Sequence, residues 1–345
     1  MDVSLREERV DSEATLRETI SFMEERGLHA VPVVKGQRVL GVVSYEGILR
    51  GFIDPSAKVK HYAERVEKTL FLPSESGMLA VFAKRGNRVV VVTDLYGRFK
   101  GFVPREDVVK RLKPKPLTKD VLESEVVELE GRELVIKARL LMAEREKSEI
   151  PVSEDGKFLG LVTAKGIIEK AIDKSNSLKG LTGVNYIRLK DFDLLNYCLN
   201  NESEMGKAIK YFSLGMSEVP LLVEGKVKAI VSVNRLFESM IKIRTKNGTI
   251  IGLFSYNISD EIIEEIRSFL NEVLPSFRLL RSKRINVSIE NLSEKKFYLN
   301  ATIKSKNTKT KIGIKEVGND PKALILEALK KLENALRSSD ENKKV

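Results

Sequence analysis

A chain of 345 residues with 42% apolar content can form two or three cores, while a single cysteine, Cys198, and two histidines, His29 and His61, exclude an intramolecular disulfide and a Cys/His zinc set. No run approaches the roughly 20 apolar residues of a membrane span, and MDVSLREERV lacks the basic-then-apolar order of a secretory leader, so the expectation is a soluble cytoplasmic protein without a membrane partner. The net charge of +11 is uneven: residues 242–345 carry 21 Lys and Arg against 13 Asp and Glu, leaving 39 against 36 for residues 1–241.

In chain order, Leu16, Ile20 and Met23 predict a helix over 12–25, with Asp11 as cap and Gly27 as stop. A strand from Ala30, a turn at Lys35-Gly36 and a second strand ending at Ser44 follow, which is a hairpin, and 45–52 reads as a short helix. The same phrase returns around Val89 to Val103, Ile150 to Thr163 and Val219 to Ser232, with turns at Tyr96-Gly97, Asp155-Gly156 and Glu224-Gly225. Gly41, Gly101, Gly160 and Ala229 hold equivalent places, 60, 59 and 69 residues apart. Four copies of a helix-strand-strand-helix unit are therefore expected, in two pairs at 1–115 and 116–241.

The Pro-containing strand, the Gly-centred hairpin and the Gly-x-x-Ser/Thr ending resemble the CBS domain family over about residues 8–241. The resemblance implies that units pair through their sheets into discs, that the array serves as a scaffold, a homodimerisation surface or a sensor, and that an adenine nucleotide occupies a cleft between paired units. A hydroxyl and an Asp three residues later would hold its phosphate and ribose. On that pattern the nucleotide-binding candidates are Ser44, Asp107, Thr163 and Ser232. No copy has both groups: the acid position is Gly47 beside Ser44, Gly166 beside Thr163 and Arg235 beside Ser232, while Asp107 pairs with Pro104.

From Lys242 the hairpin phrase stops. The stretch from Thr249 to Tyr256 is β-rich, and Ser259-Asp260-Glu261 caps a helix carrying Ile262, Ile263, Ile266, Phe269, Leu270, Val273 and Leu274, which Pro275 ends. Three alternating strands follow, and Asp320-Pro321 opens a second helix with Leu324, Ile325, Ala328, Leu332 and Ala335 inward. The expected fold class is α+β: four CBS units in two pairs, then a β-α-β-β-β-α RNA-binding domain over 242–338 with both helices on one sheet face, and a disordered tail at 339–345.

That order, with its Lys-rich last strand and helix, resembles the ribosome hibernation-promoting factor family over about residues 248–338. The resemblance implies binding in the mRNA and tRNA path of the small ribosomal subunit, inhibition of translation, and RNA contacts from the basic residues. The candidates are Arg278, Arg281, Lys283, Arg284, Lys304, Lys306, Lys309, Lys311, Lys315, Lys330 and Lys331, a cluster able to capture phosphates. The alternative is an adenine-nucleotide-sensing CBS regulator of a partner protein, and a duplex-DNA regulator ranks last because no basic recognition helix is spaced for it.

No catalytic motif stands beside these. His29 precedes a strand, Cys198 reads as core on a helix with Leu194, Leu195 and Leu199, and neither a phosphate-binding loop nor a dinucleotide fingerprint is present. A non-enzymatic chain without a metal or a required cofactor is the expectation.

Overall fold

The computed structural model describes residues 4–341 except 67–68, 72–73, 114–118, 124, 174–182, 202–203, 245–248, 281–282, 294–295 and 305–310. The chain forms two compact units, Met1–Thr69 with Phe82–Leu236, and Leu70–Val81 with Phe237–Val345. Leu70–Val81, inside the second repeat by sequence, folds with the C-terminal unit.

Repeat one comprises β1 (Val10–Asp11), α1 (Leu16–Glu25), β2 (Ala30–Lys35), β3 (Arg38–Ser44) and α2 (Tyr45–Arg50). Helix α1 begins later than its sequence predicts, because Thr15 and Glu18 form a reciprocal capping box, while Asp11 turns back onto the Glu13 N–H at 2.9 Å. Repeat two supplies α3 (Glu75–Phe82), β4 (Val89–Thr93), β5 (Phe99–Pro104) and α4 (Arg105–Val109). Repeat three runs through β6 (Leu129–Glu130), α5 (Val135–Arg145), β7 (Glu149–Glu154), β8 (Lys157–Thr163) and α6 (Ala164–Asp173), and repeat four through α7 (Met205–Ser213), β9 (Glu218–Val223), β10 (Lys226–Ser232) and α8 (Val233–Met240).

All four hairpins are antiparallel and carry a register shift at one equivalent place. The recurring glycine has a steric cause. A connecting segment pairs beside the second strand of each hairpin, Glu64 with Val42, Arg6 with Phe102, Leu195 with Leu161, and Leu122 with Val231. A Cβ on Gly41 would lie 2.4 Å from the Glu64 carbonyl oxygen, and one on Gly101 2.8 Å from that of Arg6. The segment around Cys198 is therefore not the helix its leucines suggest, since Leu195 pairs with Leu161 and Leu199 with Leu221.

Within the first unit, β2 packs on β4 and β5, and β8 on β10, which joins repeat one to two and three to four. Helix α2 packs on α5 and α6, and α4 on α7, which sets repeat one against three and two against four. Buried Leu16, Val31, Ile48, Ile150, Val162 and Ile167 belong to one continuous core, each stabilising by about 1.5–3 kcal/mol.

The second unit is a five-stranded sheet of β11 (Lys242–Arg244), β12 (Ile250–Tyr256), β13 (Arg284–Ser293), β14 (Lys296–Lys304) and β15 (Lys311–Gly318), in that spatial order, with β12 and β13 parallel. Helices α9 (Asp260–Val273) and α10 (Pro321–Glu341) bury Ile263, Ile266, Leu270, Ile325, Leu329 and Leu332 against Ile251, Leu253, Val287, Leu299 and Ala301. Helix α10 extends to Glu341, past the boundary its polar end suggests, with Ser338 Oγ donating to the Asn334 carbonyl at 3.2 Å. Ser259 precedes α9 without a side-chain cap bond. Asp260 beside it instead accepts from the Glu75 and Ser76 N–H groups, both at 3.1 Å, and from Ser76 Oγ at 2.8 Å, so it caps α3.

Candidate ligand cleft

The residue before each first hairpin strand is His29, Arg88, Ser148 or Ser217, and the second residue after each second strand is Glu46, Glu106, Lys165 or Asn234. These equivalent positions bring unlike polar groups together in the first unit. Arg88 donates through Nε to Glu46 Oε1 at 2.9 Å, through Nη2 to Ser148 Oγ at 2.8 Å, and through Nη1 to the Gly215 carbonyl. Glu106 stands 3.5 Å from Arg88 and Glu149 3.8 Å, and Arg105 donates to Ser217 Oγ at 3.1 Å. Every repeat thus contributes to one buried polar cluster.

Burial and charge act against each other there. Burial opposes ionisation of Glu46, but the adjoining Arg88 and the Ser148 hydroxyl outweigh it and hold the carboxyl at about 2. Glu149 goes the other way, with burial pushing it up to about 8 despite Arg88. Burial lowers His29 to about 4 and Arg105 to about 10. Lys147 and Glu218 form a second buried pair, both oxygens at 2.7 Å from the ammonium.

The four candidate nucleotide-binding residues are not gathered into one site. Ser44 Oγ accepts the Gly47 N–H at 3.1 Å and Thr163 Oγ1 the Gly166 N–H at 3.0 Å, so both cap the helices that follow. Asp107 is held by Arg6 at 2.9 Å and Lys110 at 3.2 Å, and Ser232 is buried. The acid position of each repeat lies beside its connecting segment, and three of the four are filled from within. In repeat one the Glu64 carboxyl lies over Gly47, 3.1 Å from where a Cβ would stand, and pairs with Arg50 at 2.6 Å. In repeat two Arg6 meets Asp107, and in repeat four Glu123 meets Arg235 at 3.8 Å. In repeat three, among the described residues, Gly166 has only Thr163 and Phe192 within reach of an added Cβ.

Beside Gly166 opens a cleft of about 650 Å³, within the range of small-molecule sites. Tyr45, Phe192 and Tyr197 give it aromatic walls, and Ala164, Leu195, Leu214 and Met216 apolar ones. Its polar lining comes from His29, Glu46, Arg88, Ser148, Glu149, Thr163, Lys165, Glu169, Lys170 and Asp193. Glu46, Arg88, Arg105 and Glu149 fall outside the apolar phrase that reveals the repeats. Aligning the polar residues that flank each hairpin would have found them.

The RNA-binding candidates divide between two faces. Lys315 pairs with Asn300 on the open side of the sheet, where it is exposed, as is Arg284 on β13, and Lys283 is half-buried. Lys330 and Lys331 lie on α10, across the sheet from that face, and Lys331 is held by Glu316 at 2.5 Å and Glu327 at 2.8 Å. They do not join Lys315 on one surface, because α10 packs its apolar stripe on the opposite side. Lys304 and Lys311 are backbone partners at the ends of β14 and β15, and Arg278 falls in a single turn. Arg281, Lys306 and Lys309 lie outside the described residues. Among the described residues no group of His, Cys, Asp and Glu is placed to hold a metal ion, and no helix is long and apolar enough to cross a membrane.

Four hairpin-and-helix units joined pairwise around a shared polar cluster and a ligand-sized cleft define a tandem-repeat architecture. The CBS domain family model matches residues 6–54 and 119–173, which places CBS domains at repeats one and three. No curated protein matches the chain. Protein MJ1225 from Methanocaldococcus jannaschii is similar in structure at 14% identity and TM-score 0.60, over 68% of this chain and 98% of that one, and the likeness shows a shared fold. A conserved protein from Pyrococcus horikoshii is 16% identical, with TM-score 0.45, over 69% of this chain and 97% of that one. The CBS domain pair of protein MJ0100, solved with 5′-methylthioadenosine and S-adenosyl-L-methionine, is 20% identical, with TM-score 0.29, over 36% of this chain and 98% of that one.

Proposed function

We propose that this chain is a ligand-responsive, non-enzymatic regulator whose CBS array holds one adenine nucleotide or adenosine derivative in the repeat-three cleft and controls a partner protein accordingly. The observation that carries this reading is the contrast between repeats: three acid positions are filled by Glu64, Arg6 and Glu123, whereas Gly166 opens onto a cleft with aromatic walls. A bound ligand would touch residues of all four repeats and raise stability by mass action. Thermal unfolding of the full chain with and without adenosine, AMP and ATP tests it. A Tm that rises with at least one of them, less so in Tyr197→Ala, is expected; an unchanged Tm with all three ends the reading.

A second reading is favoured by the topology of the second unit, where β12-α9-β13-β14-β15-α10 has the expected order and both helices cover one face. On this reading the open face, with Arg284 and Lys315, binds RNA of the small ribosomal subunit in the mRNA and tRNA path, and the chain acts as a hibernation factor in the cytoplasm. Salt-sensitive co-sedimentation with isolated small subunits, lost on Arg284→Glu/Lys315→Glu, is the expected result. No co-sedimentation at low salt ends it.

A further inference from the structure

The charges around the cleft cancel in place. Arg88 is bound by Glu46 at 2.9 Å, Lys170 by Asp193 at 2.6 Å, and Lys165 stands 3.5 Å from Glu169. Among the described lining residues each cation therefore has its own carboxylate. His29 and Glu149 add no charge at neutral pH, since burial lowers the first to about 4 and raises the second to about 8.

This arrangement decides between ligands of the same shape and different charge. A phosphate entering the cleft brings negative charge toward Glu46, Glu169 and Asp193, and each lysine it could meet there is already shared with a carboxylate. Taking charge out of water without a free counter-ion is costly. The hydrogen-bonding capacity left at the cleft points the same way. Glu46 Oε2, the second oxygen of an ionised carboxylate, is buried without a hydrogen-bond partner. An ionised carboxylate accepts from hydroxyl and amino groups and repels phosphate oxygens.

We propose that the cleft takes an uncharged or zwitterionic nucleoside, with its donor groups toward Glu46 and its base against the aromatic walls, in preference to nucleoside di- and triphosphates. The inference rests on the ligand-binding reading above and specifies the ligand's charge. A neutral ligand leaves the three ion pairs intact and is indifferent to salt, because no net charge is exchanged with solvent ions.

Isothermal titration of the full chain with adenosine, AMP, ADP and ATP, at low and high salt, tests this. Adenosine is expected to bind at least about tenfold more tightly than ADP or ATP, with little change on adding salt. Glu46→Gln preserves the shape and removes the carboxylate; it should weaken adenosine and narrow the gap to ATP, with circular dichroism confirming the fold. Tighter binding of ADP or ATP than adenosine in the native chain overturns the charge argument and leaves the cleft as a ligand site. Binding of none of the four overturns both.

Discussion

The His29 imidazole lies against the backbone of Gly215 so closely that a Cβ at position 215 would stand 1.9 Å from Nε2, and Gly215 has φ +95°. This contact joins repeat one to repeat four, and the Gly215 carbonyl accepts from Arg88 of repeat two. Gly215→Ala is expected to lower stability by about 2 kcal/mol or more, combining overpacking with backbone strain. His29→Ala in the same chain should restore part of the loss, since it removes the obstructing ring. Urea unfolding of the two single variants and the double variant reads the coupling, and additive losses would show that the ring is not the obstacle.

Arg88 is the shared counter-ion of Glu46, Glu106 and Glu149. Removing it as Arg88→Ala leaves buried carboxylates facing one another, and a loss of about 3–5 kcal/mol is expected. Calorimetry should find a Tm well below that of Arg98→Ala, whose ion pair with Asp94 is half-exposed. Equal effects would mean that the buried cluster adds nothing special.

The acidity of Glu149 fixes a pH dependence. Its folded value of about 8 lies above the ordinary 4.5, so the folded state binds more protons across that interval, and the associated stability is lost as pH rises toward 8. His29, lowered from 6.5 to about 4, contributes in the opposite sense: its stability is present above 6.5 and is lost as pH falls through 4. The two oppose each other between pH 4.5 and 6.5, and above 6.5 the Glu149 contribution remains, with Glu218 raised by burial in the same direction. Unfolding free energy should therefore fall across that upper window, by at most about 1.4 kcal/mol per pH unit. Glu149→Gln should flatten the slope; an unchanged slope would assign it to other groups.

Asp260 caps a helix that is not its own. Asp260→Ala leaves the Glu75 and Ser76 N–H groups without their acceptor, and a loss of about 1 kcal/mol is expected in the unit that contains them. Hydrogen exchange should show faster exchange at those two amides, while those of α10 keep their protection. Uniform acceleration throughout the unit would point to a global effect instead.

The four-copy phrase was legible because the hairpin strands are apolar runs and their tight turns need glycine, so those runs with Gly36, Gly97, Gly156 and Gly225 mark hairpins without any tertiary contact. The buried faces of the strands of the second unit were readable for the same reason, since Val287, Leu299 and Ala301 alternate with Ser288, Asn300 and Thr302, whereas the edge strand Lys242–Arg244 and the spatial order of the sheet were not. The roles of the polar residues were not. Ser44 and Thr163 look like ligand groups until the helices they cap are in place, and Asp107 looks free until Arg6, 101 residues away, reaches it.

What the sequence alone determined is the local grammar: how many hairpins, where α1, α9 and α10 begin within a few residues, and which faces are apolar. Tertiary structure alone decided which polar groups meet. The central cluster draws Glu46, Arg88, Ser148 and Ser217 from four repeats, and although these positions recur along the chain, which of them meet is set by how the repeats pack. The cleft beside Gly166 has a related cause, since the residue that pairs with the second strand there is Leu195, where repeats one and two have the long polar side chains of Glu64 and Arg6.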